Sequence, residues 1–568
     1  MEITRRQFVV GGTTCIGTAS LVSFLPFAIS SAEAGVVTNQ QYSNAFNMLS
    51  RISFGATIPE CQEIMTKGFP AYVAAQLAPV ESADTACNTR LNNATLHIAY
   101  QAVKDNPKLA NLPTVNEDRK LTALNKPLNQ LWALNADNIA SQERIRPTQE
   151  VRAATWIRAT YSKWQLREVM VEFWHNHFNV NAFGSGQTQP LTPHYDAIMR
   201  KNCFGNFRNF VEEIGKSPSM LFYLNNTTSK ASPANENYAR ELFELHTLGA
   251  ENYYNSTYNR WSSVPGAAQG KPIGYIDQDV YEAARAFTGW KVEDGSKVGG
   301  GVTLPSTGNF TYYDGWHDNY QKRVLATEFD PNSPPQQDGK KVYDLLSAHP
   351  GTAMYICRKL CKRFVGDNPP QSIVTAAAQT WQANITKPDQ IAKVLKTILL
   401  SNEFATARGT KVKRPFDFIS SFLRATAADF TPTQQLFDRT YSAGYLHFQW
   451  ATPTGHPDNA DFWLNSNTML TCWNLLPDLL SPNFKTAYFN LVGQTPTNIK
   501  TSAEIVSYWF MRLNGLSPDS QTLTALIKLM PNPTNPNFVP DLRKNDVKAQ
   551  LQDTIMTIAM LPEFTVRG

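Results

Sequence analysis

The chain has 568 residues, a formal net charge of +5 at pH 7 and 42% hydrophobic residues. This length and composition are those of a globular protein that can bury a sizeable core. The small net charge gives no electrostatic basis for nucleic acid as a partner, and we expect none. No run of about 18 apolar residues follows the N-terminal segment, so we expect no transmembrane span in the mature chain.

Residues 1–34 have the pattern of a targeting segment. Arg5-Arg6 lies in T-R-R-Q-F-V-V, a moderately apolar run follows to about Ser30, and Ala32-Glu33-Ala34 is an A-x-A cleavage site. The alternative, an uncleaved membrane anchor, is disfavoured by the weak hydrophobicity. We therefore expect export by the twin-arginine translocase, cleavage after Ala34, and a periplasmic or secreted protein.

Six cysteines follow this segment, and none of them forms a C-x-x-C motif. Zinc-ribbon and thioredoxin-like proteins are therefore excluded. We expect buried thiols, with a Cys61–Cys87 disulfide as the alternative in an oxidising compartment.

Taken in order, the chain begins with helical apolar spacing over residues 38–80. Residues 84–145 are polar and mixed, which predicts helices joined by loops. The longest predicted helix covers residues 148–179 and is preceded by Pro147. Ser232-Pro233 predicts the start of a helix that ends at Gly249.

Asp279 and Glu282 predict a capping box that opens the next helix. Residues 291–330 are rich in glycine and aromatic residues and predict short strands, and the pattern is helical again from Gly339. We expect a mainly α fold, a multi-helix globular array with a small irregular or β insertion around 291–330. The predicted regions are 35–145 (N-terminal helical), 146–365 (core helical, with the His/Glu motifs) and 366–568 (C-terminal helical).

The stretch from Arg167 to Val180 concentrates residues that could carry chemistry. In a helix, Glu168, Glu172 and His175 fall within an arc of about 60°. Glu172-x-x-His175 has the spacing found in di-metal carboxylate bundles, but no second E-x-x-H exists, so a mononuclear or irregular site is the stronger metal hypothesis. His177 could share that site only if the helix loosens there. The alternative is a helix end whose His and Asn side chains satisfy carbonyls, with Glu172 paired to an arginine.

Other candidates lie further along the chain. Glu241 and Glu244 share a helix face, although an Arg240–Glu244 ion pair is an alternative interpretation. His349 precedes a proline and is expected to cap a helix rather than bind a metal. Further potential ligands are His246, Glu282, His317, Asp318 and His349.

Several of these stretches resemble a bacterial family catalogued only as domain of unknown function 1800. They include Q-L-R-E-V-M-V-E-F-W-H-N-H-F-N-V at 165–180, N-E-N-Y-A-R-E-L-F-E-L-H-T-L-G at 235–249 and D-V-Y-E-A-A-R-A-F-T-G-W at 279–290. The insertion at 250–276 departs from the family pattern. The resemblance implies an exported, mostly helical protein, often encoded beside a second family with sulfatase-like features, but no established activity.

Our leading hypothesis is a metal-dependent enzyme, hydrolytic or redox, that binds a divalent metal and acts in the cell envelope or outside the cell. The predicted catalytic residues are Glu172, His175, His177, Glu241, Glu244 and His317, and the predicted metal ligands are Glu172, His175, His177, His246 and His317. The alternative is a non-catalytic envelope protein that assembles with a co-exported, sulfatase-like partner. Carbohydrate binding by the tryptophan-rich surface ranks third.

Overall fold

The computed structural model describes residues 39–102, 108, 112–254, 260–481 and 484–567. The predicted twin-arginine segment, residues 1–34, lies outside these described residues. No helix in the described ranges is both long enough and apolar enough to cross a membrane.

The N-terminal region contains helices and one hairpin. Its elements are α1 (Asn39–Ile52), α2 (Ile58–Lys67), α3 (Phe69–Gln76), α4 (Thr85–Asn93), β1 (Thr95–Tyr100), β2 (Val115–Lys120) and α5 (Leu128–Trp132). β1 and β2 pair antiparallel, with Thr95 opposite Lys120. The prediction of helices and loops over 84–145 therefore missed this hairpin.

The central region contains the helices that carry the His/Glu motifs. They are α6 (Ser141–Tyr161), α7 (Gln165–His177), α8 (Thr192–Asn202), α9 (Phe207–Lys216), α10 (Pro218–Tyr223), α11 (Asn237–Glu241), a π-helical turn (Leu242–His246) and α12 (Asp277–Ala286). The single helix predicted over 148–179 was wrong, because the chain is extended at Ser162 and Pro147 lies inside α6. The helix predicted from Ser232 begins only at Asn237.

The predicted β insertion is confirmed as a group of short strands after α12. These are β3 (Trp290–Asp294), β4 (Lys297–Gly299), β5 (Val302–Thr303), β6 (Ser306–Tyr312), β7 (Lys322–Val324) and β8 (Thr327–Phe329). They pair antiparallel as β3–β6, β4–β5 and β7–β8. Asp279 caps α12 as an N3 residue by accepting the Ile276 N–H, so the predicted capping box is shifted by one turn.

The remainder of the chain returns to helices. They are α13 (Gln337–Ala348), α14 (Pro350–Phe364), α15 (Gln371–Ala383), α16 (Gln390–Leu399), α17 (Asn402–Thr406), α18 (Pro415–Ala425), α19 (Gln434–Ser442), α20 (Ala460–Trp463), α21 (Ser466–Leu480), α22 (Leu491–Gln494), α23 (Ser502–Asn514), α24 (Ser520–Ile527), α25 (Asn545–Met560) and α26 (Pro562–Thr565). Two-residue strands pair β9 (Lys411–Val412) with β12 (Val566–Arg567) and β10 (Asp429–Phe430) with β11 (Ala487–Tyr488).

One large hydrophobic core runs from Tyr42 to Phe564 and includes side chains from all three predicted regions. With 56% of the described residues in helices and 9% in strands, the mainly α prediction is confirmed. α7 lies inside this core, packed against α6 and α8, and ten of its side chains, including Trp174, are buried. A polar group on α7 therefore needs a partner within the protein.

Candidate functional site

Glu172 of α7 is the centre of a buried ion pair. Its two oxygens accept hydrogen bonds from Arg414 Nη1 and Nη2, at 2.9 and 2.8 Å. Tyr445 also donates to Glu172 Oε1, at 2.7 Å. Asp417 binds the Nε of the same arginine. Glu172 is therefore paired with an arginine, as the alternative interpretation expected. Both of its oxygens already accept hydrogen bonds within the protein.

His175 is paired with a carboxylate that no sequence motif identifies. Its Nε2 lies 3.0 Å from Oδ1 of Asp196 in α8. Arg200, one turn later in α8, holds the other oxygen of Asp196 at 2.8 Å and binds Glu168 through two further N–H groups. Although burial alone would raise the pKa of Asp196, the charge of Arg200 and the hydrogen bond from His175 hold this pKa well below its ordinary value.

A cavity lies beside these residues. Glu168, Glu172 and His175 line it together, as their common helix face predicts. The volume open to the centre of a water-sized sphere is about 40 Å³. Since a water needs roughly 10–15 Å³ by this measure, the cavity has room for about three waters or a small chemical group.

Two residues that line this cavity each have a polar atom without a hydrogen-bond partner among the described residues. The atoms are Nε2 of His447 and the hydroxyl of Ser219, and both side chains are buried. Burial lowers the pKa of His447 well below its ordinary value, and nearby Arg152 lowers it further, so the imidazole is neutral. Neither residue was among the candidates predicted from the sequence, because no motif connects them to α7.

His456 completes the group of imidazoles around the cavity. Its Nε2 accepts the Leu446 N–H, and burial lowers its pKa to about 3. Its ring is stacked on that of Tyr445, with centroids 4.6 Å apart. His456 is therefore a neutral, fixed wall of the cavity.

His177 belongs to a different cluster from His175. α7 continues as a helix through His177, so the two side chains leave its axis about 200° apart. His177 Nε2 donates to the His246 carbonyl at 3.1 Å, and its Nδ1 accepts from Lys359 Nζ at 2.9 Å. The expectation that His175 and His177 share one centre was wrong.

His246 lies in the π-helical turn, with its ring centroid 6.2 Å from that of His177. Neither ring nitrogen of His246 has a hydrogen-bond partner in the described ranges, and the side chain is buried. Burial lowers its pKa to about 3, and it also lowers the pKa of Lys359 to about 8. This cluster is cationic or neutral and brings no carboxylate to the two imidazoles.

His317 lies in a third location, next to the strands after α12. Its Nδ1 is 3.0 Å from the Thr288 carbonyl, and its Nε2 is 3.4 Å from Asp338. Lys322 binds the same carboxylate at 2.7 Å. Although burial raises it, the pKa of Asp338 is lowered to about 2 by these two partners.

Glu241 and Glu244 are partly exposed. The pKa of Glu241 is raised by burial and by the charge of Glu244. Arg240 pairs with Glu236 and Asp277 rather than with Glu244, so the alternative Arg240–Glu244 pair is not formed. His349 caps α14 by accepting the Gly351 N–H, which confirms the predicted capping role.

The predicted metal-ligand set is therefore not assembled. Among the described residues, no group of three or more His, Cys, Asp or Glu side chains is placed to hold a metal ion. Glu172 is taken by an arginine, and His175, His177 and His317 belong to separate hydrogen-bond networks. The donor set present does not fit a divalent metal.

A family model described as a protein of unknown function (DUF1800) matches residues 47–566, nearly the whole chain. The protein belongs to the DUF1800 family. No curated protein and no solved structure matches the chain. The DUF1800 match includes α7, α8 and the His447 loop, so all parts of the cavity lie within the family region.

Proposed function

We propose that this DUF1800 protein is an exported hydrolytic enzyme in which His175 transfers protons within the cavity beside Glu172. The observation that supports it is the His175–Asp196 pair at 3.0 Å, because His175 lines a cavity that is also lined by His447, whose Nε2 is unpaired among the described residues. Buried polar atoms without partners are uncommon and often belong to catalytic sites.

The chemistry follows from the two nitrogens of His175. An ionised Asp196 favours the tautomer with the proton on Nε2, and Nδ1 then has a free lone pair. Nδ1 has no hydrogen-bond partner among the described residues, so it can accept a proton from a water. The neutral His447 and the Ser219 hydroxyl can hold that water or a small polar group of a substrate.

The test compares the wild-type protein with His175→Gln on chromogenic esters, amides, phosphate esters and glycosides. We expect His175→Gln to lose about 10²–10⁴-fold of any turnover, the usual contribution of a general base. Asp196→Asn should lower turnover as well, while the exposed His97→Gln should not. Equal turnover by wild type and His175→Gln would contradict the proposal.

The metal-dependent mechanism is a separate hypothesis with its own measurement. Metal analysis of the purified protein should find less than one divalent metal per chain if His175 acts without one. A stoichiometric metal that disappears in His175→Gln would favour metal-dependent hydrolytic or redox chemistry, for which the side chains would have to rearrange.

A non-catalytic envelope protein is the second candidate, favoured by the ion pairs of α7. Glu168 and Glu172 bind Arg200 of α8 and Arg414 before α18, so these carboxylates join three parts of the chain. In this case the protein should copurify with a partner exported by the same route, and His175→Gln should leave that complex intact.

A further inference from the structure

A second, smaller cavity lies between α1, α18 and the C-terminal strand β12. Its charged lining residues are Lys413, Asp417 and Arg567. The volume open to the centre of a water-sized sphere is about 10 Å³, room for one occupant of that size. It is separate from the cavity beside His175.

The donors that line this small cavity lack acceptors. Arg567 is buried, and its Nη2 forms an ion pair with Asp417 at 2.6 Å. Its Nη1 has no hydrogen-bond partner in the described part of the chain. The Lys413 ammonium has no acceptor there either and lies 3.7 Å from the centroid of the Phe564 ring. The three serine hydroxyls of the lining donate to backbone carbonyls, so they do not need an acceptor within the cavity.

The surrounding charges do not balance. Arg363, nearby in α14, is buried with all three guanidinium nitrogens unpartnered among the described residues. The cations of this region are Arg51, Arg363, Lys411, Lys413, Arg414 and Arg567, and its carboxylates are Glu172, Asp367, Asp417 and Asp458. Positive charge is therefore in excess by two among these groups, of which Arg51, Arg363, Arg414 and Arg567 are buried.

We propose that this cavity binds a single halide ion, chloride under physiological conditions, between Arg567 and Lys413. A monatomic anion is the anion closest in size to the single water that this cavity could hold, and it would supply an acceptor for Arg567 Nη1 and Lys413 Nζ. Phosphate and sulfate are too large for a space of one water. Burial and the charge of Arg567 lower the pKa of Lys413 to about 7, and a bound halide would keep this ammonium protonated.

Unfolding of the purified protein in sodium chloride, compared with sodium gluconate at equal ionic strength, tests the site. The unfolding equilibrium constant should fall about tenfold for each tenfold rise in chloride above its Kd, and gluconate and sulfate should not reproduce this fall. Bromide-soaked crystals should show an anomalous peak beside Arg567. Equal stability in chloride and gluconate, with a water in the cavity, would overturn the proposal.

Lys413→Met is the informative variant, because Lys413 makes no ion pair in the described ranges. It should abolish the chloride dependence, while Lys340→Met, at an exposed position, should retain it. If Lys413→Met does not fold, Arg567→Lys provides the same readout with the Asp417 pair preserved in kind. Chloride dependence that survives both cavity variants would contradict the assigned location.

Discussion

At the scale of single residues, Glu172 illustrates how burial determines the contribution of an ion pair to stability. The pair with Arg414 is almost fully enclosed, so Glu172→Gln removes one of the two carboxylates, Glu172 and Asp417, that neutralise this buried guanidinium. We expect a loss of about 3–5 kcal/mol in the free energy of unfolding, measured by urea denaturation. Glu63→Gln breaks the exposed ion pair with Lys67 and should change the free energy of unfolding by less than about 0.5 kcal/mol. Similar losses in both variants would contradict this account.

The buried His246 should make the stability of the protein depend on pH. Its folded-state pKa of about 3 lies below its ordinary 6.5, so the unfolded chain binds the extra proton and stability is lost as pH falls through this window. His246→Leu removes both the proton site and the unpaired nitrogens. As the pH is lowered from 7.5 to 5, the free energy of unfolding of His246→Leu should therefore rise relative to that of the wild-type protein, as measured by urea unfolding at each pH.

If His246 instead binds a metal or another essential partner, His246→Leu should be less stable than wild type at both pH values. That outcome would return His246 to the candidate metal ligands.

Part of the candidate site follows directly from the sequence. The 100° rotation per residue places Glu168, Glu172 and His175 on one side of α7, and all three do line one cavity. Their partners Asp196 and Arg414 are distant in sequence or carry no motif. Periodicity within one helix contains no information about them, so the sequence predicted the location better than the chemistry.

At the scale of elements, errors occur where tertiary contacts override local pattern. The break between α6 and α7 depends on Ser162, whose hydroxyl binds Asp84 and accepts the Trp164 N–H. The apolar spacing on both sides is helical, so the pattern alone predicts one helix. β2 is the polar segment V-N-E-D-R-K, which shows no alternation of buried residues, and only its pairing with β1 identifies it.

The contact of α9 with α11 and α13 depends on Gly215. A Cβ at this position would overlap the hydroxyls of Tyr238 and Tyr343, which are hydrogen-bonded to each other at 2.6 Å. We expect Gly215→Ala to cost about 1–3 kcal/mol, because the packed helices must move apart. Gly186→Ala is the control, since its nearest neighbour would be 3.7 Å away. Equal melting temperatures for the two variants would contradict close packing at Gly215.

At the scale of the whole molecule, one core joins residues from Tyr42 to Phe564. Sequence patterns predicted its helical class, but its continuity across the three predicted regions depends on long-range contacts that periodicity does not encode. A chain with such a core is expected to be transported as a folded unit, which agrees with the proposed twin-arginine route.

Export is tested by replacing Arg5 and Arg6 with lysine. If the twin-arginine translocase reads this pair, the variant should remain in the cytoplasm at its unprocessed mass, while the wild-type protein should begin at Gly35. Cell fractionation and N-terminal sequencing measure both outcomes. Periplasmic accumulation of the lysine variant would show that another route is used.

The buried cysteines can be used to measure local unfolding of the protein. All six in the described residues are free and buried, so the alternative Cys61–Cys87 disulfide is not formed. Burial raises their pKa values, to about 12 for Cys472, which suppresses the reactive thiolate. A thiol reagent should therefore label each cysteine in proportion to the small fraction of molecules in which that cysteine is exposed.

The labelling rate of each cysteine then measures the free energy of the opening that exposes it, as amide exchange does for the backbone. Cys61 of α2, Cys203 after α8 and Cys472 of α21 sample three distant parts of the molecule. Equal rates would identify a single cooperative unit. Separate rates would show which part of the molecule opens most readily.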